Sequence, residues 1–166
     1  MELSPFEVAA DLLSGLVPGE LGDLRHRAHR YGVKVWSGGT TAPKAHYEAQ
    51  VIGAKDAPGA VTLAVEVGFH AEHPKEADNE LIVTELLAHE KRWRSQLGEE
   101  PEVGAFLGRA AHWRRISELW LDPDLEDPDF AFEIATRLTD YIEALEPARQ
   151  TSARESGAAR SQRRTG

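Results

Sequence analysis

The run VTLAVEVGFH, residues 61–70, alternates without a break. Val61, Leu63, Val65, Val67 and Phe69 fall on one side of an extended chain, and Thr62, Ala64, Glu66, Gly68 and His70 on the other. A period of two marks a strand with one buried face and does not fit a helix. HYEAQVI, residues 46–52, repeats the pattern, with Tyr47, Ala49 and Val51 set against His46, Glu48 and Gln50. The connecting GAKDAPGA carries turn formers at both ends. Together these runs predict an antiparallel hairpin, and other elements must cover its apolar face.

Those elements can be read from caps and spacing. Ser4-Pro5-Phe6-Glu7 is a capping box with proline at the first helical position, and Gly15 offers a stop. A second helix is predicted after Pro18, with Leu21, Leu24, Ala28 and Tyr31 on one face and Gly32 as its cap. VKVWS (33–37) reads as a strand. Pro74 opens a helix from about Lys75 to Leu97, stopped by Gly98. Val103–Leu107 and Trp113–Leu121 are weaker strands, the second also fitting helical spacing through Trp113, Ile116 and Trp120. Asp127-Pro128-Asp129 starts a last helix with the stripe Phe130, Ile134, Leu138, Tyr141 or Ile142, and Leu145, ended by Pro147. The order ααβββαββα describes an α+β domain, a mostly antiparallel sheet with helices packed on one face.

The length, 166 residues, suits one domain, read as residues 1–148, followed by a disordered basic tail, 149–166. That tail has Arg149, Arg154, Arg160, Arg163 and Arg164 against Glu155 alone and no apolar period. The whole chain carries −9, so the tail's +4 leaves −13 for the rest. An acidic body of this kind repels phosphate backbones, which confines any nucleic-acid contact to the tail. The absence of cysteine excludes disulfides, thiolate zinc sites and cysteine nucleophiles. MELSPFEVAADLL has no basic leader region, and no stretch approaches the roughly 18 apolar residues of a membrane span. These features predict a cytoplasmic protein with no membrane partner.

Most motifs that suggest chemistry have a structural explanation. RHRAHR (25–30) contains HxxH, yet its arginines follow Glu20 and Asp23 as on a solvated helix face, with Asp23 and Arg27 spaced as an i,i+4 pair. His70-Ala71-Glu72-His73 is HxEH, which matches neither HExxH nor HxxEH, and His73 serves the turn into the next helix. Glu66 and Glu48 each lack the lysine two residues on that a restriction-type nuclease strand requires. SGGTTAPKAH (37–46) lacks phosphate-loop spacing and reads as a hairpin loop. LDPDLEDPDFAFE imitates a calcium loop but has Asp127 where the sixth-position glycine belongs, so it reads as Asp-Pro turn chemistry.

One constellation survives. With Glu48 placed opposite Glu66, His46 falls opposite Gly68 and Gln50 opposite Ala64, and His70 lies on the same face. The candidate ligand-binding set is therefore His46, Glu48, Gln50, Glu66 and His70. Gly68 at its centre leaves room for a ligand or for close backbone approach. If Glu66 and His70 only solvate a strand, replacing both changes stability by no more than about 0.5 kcal/mol. No metal ligand set and no cofactor is assigned.

HYEAQV (46–51), VEVGFHAEHP (65–74) and the Asp-Pro-rich final helix together resemble an uncharacterised family of small proteins from high-GC bacteria, over about residues 1–148. More distantly, the order of elements over about 45–147 is similar to a bacterial domain of unknown function found beside nuclease-like domains. Neither resemblance supplies a catalytic residue. The residues favour a non-catalytic binding module for a protein or small-molecule ligand. The alternative is a metal-dependent or acid–base enzyme, acting on a phosphoester or nucleic acid, that uses the Glu/His cluster of the hairpin.

Overall fold

The computed structural model describes residues 2–39 and 43–164. Helix α1 (Pro5–Leu16) begins at the capping box: Glu7 N–H donates to Ser4 Oγ at 3.3 Å and Ser4 N–H to the Glu7 carboxylate at 2.8 Å. Gly15 lies inside this helix, which ends at Leu16 before Pro18. Strands β1 (Leu24–His29), β2 (Gly32–Ser37), β3 (Ala45–Gly53) and β4 (Leu63–Ala71) follow as an antiparallel meander. Helices α2 (Glu76–Leu87) and α3 (Glu90–Leu97) lead to β5 (Glu102–Ala105) and β6 (Arg114–Leu121), and α4 (Phe130–Arg164) closes the chain. The six strands lie in the order β1-β2-β3-β4-β6-β5, all antiparallel.

The α+β architecture is present, and all four helices share a single core with the sheet face formed by Val33, Val35, Tyr47, Ala49, Val65, Val67, Phe69 and Ile116. Three elements differ from the sequence reading. Residues 24–29 form a strand rather than a helix. The helical spacing of Leu24 and Ala28 loses to a complete ladder with β2, in which the same two residues still half-bury toward α1. In that strand His26 and His29 point to opposite faces, so HxxH is not a ligand pair, and the arginines decorate a sheet edge.

The helix expected over 75–97 is two helices broken at Ala88 and His89. The Trp93 indole N–H donates to the Leu86 carbonyl at 2.9 Å, satisfying that oxygen while the ring is wholly buried. Pro147 does not end α4, which continues to Arg164. Beyond the proline, Ala148 is buried, the Arg149 guanidinium lies 5.0 Å from the Phe69 ring, and Gln150 donates to Leu21 O. These contacts hold the helix past a residue that ordinarily breaks it. The segment read as a disordered tail from 149 is therefore helical through 164, and Arg149 belongs to the folded body. Residues 165–166 of that tail, and 40–42 of the expected hairpin loop, lie outside the described residues.

Candidate functional site

The second face of the sheet is polar. In the β3–β4 ladder His46 pairs with His70, Glu48 with Gly68 and Gln50 with Glu66. The register is two residues from the one expected, so the same side chains share a face while Glu48 and Glu66 no longer stand directly opposed. An even shift preserves the face; an odd one would have turned every side chain over.

All five candidate residues come together in one network. His46 Nδ1 donates to the Pro43 carbonyl at 2.9 Å, and its Nε2 lies 3.0 Å from Glu48 Oε2 and 3.4 Å from Glu72 Oε1. His70 Nδ1 lies 3.2 Å from the same Glu48 oxygen and 3.7 Å from Glu72 Oε1. His70 Nε2 faces Glu66 Oε1 at 3.1 Å but without hydrogen-bond alignment, leaving a buried ring nitrogen whose attraction to Glu66 is Coulombic. Glu66 is oriented by Ser117 Oγ–H at 2.6 Å and the Gln50 amide at 3.0 Å. Lys34 Nζ sits 3.7 Å from both Glu48 and Glu72.

The sequence reading left out Glu72, Lys34 and Ser117. The signal for Glu72 was present, because the alternation through Glu66, Gly68 and His70 continues to it. Lys34 likewise alternates with Val33 and Val35 in β2. Ser117 enters only through the pairing of β4 with β6, which no local pattern encodes.

Gly68 settles as a place of backbone approach. A Cβ there would stand 2.4 Å from Ile116 O and 2.6 Å from Ser117 Cα, so β6, not a ligand, takes the space.

The cluster is closed over. Glu66 and His70 are wholly buried, and His46 is 1% and Glu48 8% exposed. Phe106 packs edge-on against His70 at 4.8 Å, and Trp113 backs Phe106 at 5.2 Å. Gly108 abuts the Asp56 carboxylate, bringing the β5–β6 and β3–β4 connections together. Solvent reaches the group from the edge held by Glu72 and Lys34, whose side chains are partly exposed.

Burial and partners oppose each other in setting the charge states. Burial works against a charged His46 ring, but Glu48 and Glu72 outweigh it and raise the pKa. His70 behaves the same way and is raised further, with burial overcome by Glu66, Glu48 and Glu72. Burial would lift the carboxylates, yet the two imidazoles dominate: Glu48 is held far below the usual range, and Glu66 and Glu72 at about 2. A paired, mutually neutralising network is what these directions describe.

The remaining motifs keep structural roles. Asp122, at the first ligand position of the calcium-like stretch, accepts from the backbone N–H of Val61 at 2.8 Å and Thr62 at 2.7 Å. Asp124 and Asp127 accept from Glu126 and Asp129 N–H in the turns that lead into α4. The His73 backbone is clasped by the buried Asn79 amide, which fixes the entry into α2. No family model, no curated protein and no solved structure matches the chain.

Proposed function

We propose that this chain is a non-catalytic binding and interaction module. One observation carries the reading: the groups with reactive potential lie beneath the surface and are engaged with one another, so a substrate has no open approach to them. General acid–base work requires a group within hydrogen-bond reach of a bound substrate; Glu48 and Glu66 spend their capacity internally, and the one ring nitrogen of His70 without a hydrogen bond lies wholly beneath the surface. Binding then falls to the outer surface. There Val61, Leu121 and Phe132 are exposed, and a shallow cleft opens beside Trp120 and Phe132.

A second reading, a metal-dependent phosphoesterase, is favoured by one feature: two imidazoles and two carboxylates converge within 4.8 Å of one another. Turnover separates the two. The purified protein is incubated with bis(p-nitrophenyl) phosphate and with p-nitrophenyl phosphate, each with Mg2+, Mn2+ or Zn2+, beside its Glu48→Gln variant. The binding-module reading expects no release of nitrophenol beyond that of the variant. Hydrolysis that Glu48→Gln abolishes in a still-folded protein would replace it with the enzyme.

A further inference from the structure

The polar face contains the same short unit twice. His46-x-Glu48 on β3 and His70-x-Glu72, which runs one residue past the end of β4, are antiparallel, with the two histidines directly paired. This arrangement brings a donor atom from each of the four residues within 4.8 Å of the others, with His46 Nε2 and His70 Nδ1 both facing Glu48 Oε2 and Glu72 Oε1. We propose that these four residues form a closed, four-coordinate site for a divalent transition-metal ion of the zinc type.

The spacing supports it. Metal–nitrogen and metal–oxygen bonds of about 2.0–2.2 Å place tetrahedral donors roughly 3.3 Å apart. The four histidine–carboxylate separations are 3.0, 3.4, 3.2 and 3.7 Å. Two imidazole nitrogens among the donors select zinc-like ions over magnesium or calcium, which take oxygen ligands.

The surroundings of each ring point the same way. A ligating histidine donates its other nitrogen's hydrogen to a backbone carbonyl or a carboxylate, which fixes the tautomer. His46 does so to Pro43 O at 2.9 Å. His70 turns its remaining nitrogen, buried and without a hydrogen bond, toward Glu66, and Glu66 is itself held by Ser117 and Gln50. Both rings thus have oxygen acceptors on both nitrogens, which a neutral imidazole with one N–H cannot satisfy. Charge closes as well. Glu48, Glu66 and Glu72 carry three negative charges and Lys34 returns one, so a single divalent ion with neutral imidazoles balances the group as two imidazolium rings do without it. The closed surface matches a structural rather than an open catalytic metal site.

This inference goes beyond the binding-module reading and does not rest on it: turnover bears on that reading, metal content on this one. The test uses the untagged full chain, stripped with chelator and titrated with Zn2+ and with Co2+. Expected are one tightly bound equivalent, a rise of several degrees in melting temperature, and the intense visible absorption of four-coordinate Co2+. Glu72→Gln, at the solvent edge of the cluster, is expected to keep the native circular dichroism and to weaken Zn2+ binding at least tenfold. His46→Gln serves as a second variant, and the Co2+ spectrum of the unaltered chain decides the matter should either fail to fold. No saturable binding, a pale six-coordinate Co2+ spectrum, or unchanged affinity in a folded variant would overturn the site and leave an imidazolium–carboxylate network in its place.

Discussion

Gly68 sits at φ +155° with the backbone of β6 pressed against it, between Glu48 on one neighbouring strand and Ser117 on the other. Alanine there must displace Ile116 O and Ser117 Cα, which are main-chain atoms and cannot swing aside. Gly68→Ala is expected to cost about 2 kcal/mol or more in urea unfolding, whereas Gly104→Ala, with open space around it, serves as a neutral control. Equal midpoints for the two would refute the close approach. Asp122 is a second residue with a single task. Its carboxylate gathers the backbone N–H groups of Thr62, Val61 and Leu63, which lowers its pKa from 3.8 to about 2. A carboxylate depressed in the folded state stabilises fully above its unfolded pKa and loses that contribution as pH falls through the folded one. Thermal stability should therefore decline between about pH 4 and pH 2, and Asp122→Asn should make that acid limb shallower. An unchanged limb in the variant would remove Asp122 from the account.

Among the elements, α4 departs most from its sequence signals. Proline removes a backbone donor and crowds the preceding turn, yet Ala148, Arg149 and Gln150 all pack after it. Glu146 accepts from Tyr47 O–H at 2.7 Å and from Arg149 at 3.0 Å, tying the two sides of Pro147 to β3. Past Ser152, by contrast, the described side chains are exposed. A chain ended after Thr151 should therefore keep the melting temperature of the full chain within a degree or two. A chain ended after Glu146 should lose roughly 2 kcal/mol or more, because Glu146 is then left buried without its guanidinium. Indistinguishable melting curves for the two truncations would restore the end of the folded domain to the neighbourhood of Pro147 and Ala148, as read from the sequence. The same logic explains β1. Its local spacing is helical, but an available strand edge on β2 offered a full ladder, and pairing won.

At the level of the whole molecule, charge is divided between an acidic body and a basic helix end. Arg154, Arg160, Arg163 and Arg164 stand on the exposed end of α4, while Arg149 is spent on the core. No helix among the described residues is long and apolar enough to cross a membrane. Affinity of the full chain for duplex DNA, measured by fluorescence anisotropy, should be weak at about 50 mM salt and vanish near 200 mM. It should disappear at both when residues 152–166 are removed. Binding that survives the deletion would place a basic surface within the body instead.

What the sequence determined by itself was the face of each central strand. Alternation of period two is a local property, so Tyr47, Val65, Val67 and Phe69 were legible as core, and His46, Glu48, Gln50, Glu66 and His70 as one polar group. Caps were equally local: Ser4, Pro5 and Glu7 open α1, and Gly98 ends α3. Tertiary structure alone decided which residues stand opposite one another, because register depends on the whole ladder rather than on either strand. It also decided that the polar face is buried. Phe106, Gly108 and Trp113, in the β5–β6 connection, lie far from the hairpin in sequence, and closing that connection over it turned a surface of histidines and glutamates into a buried centre. Burial changes the physics of those residues: charges that water would have screened must now neutralise one another or share a cation.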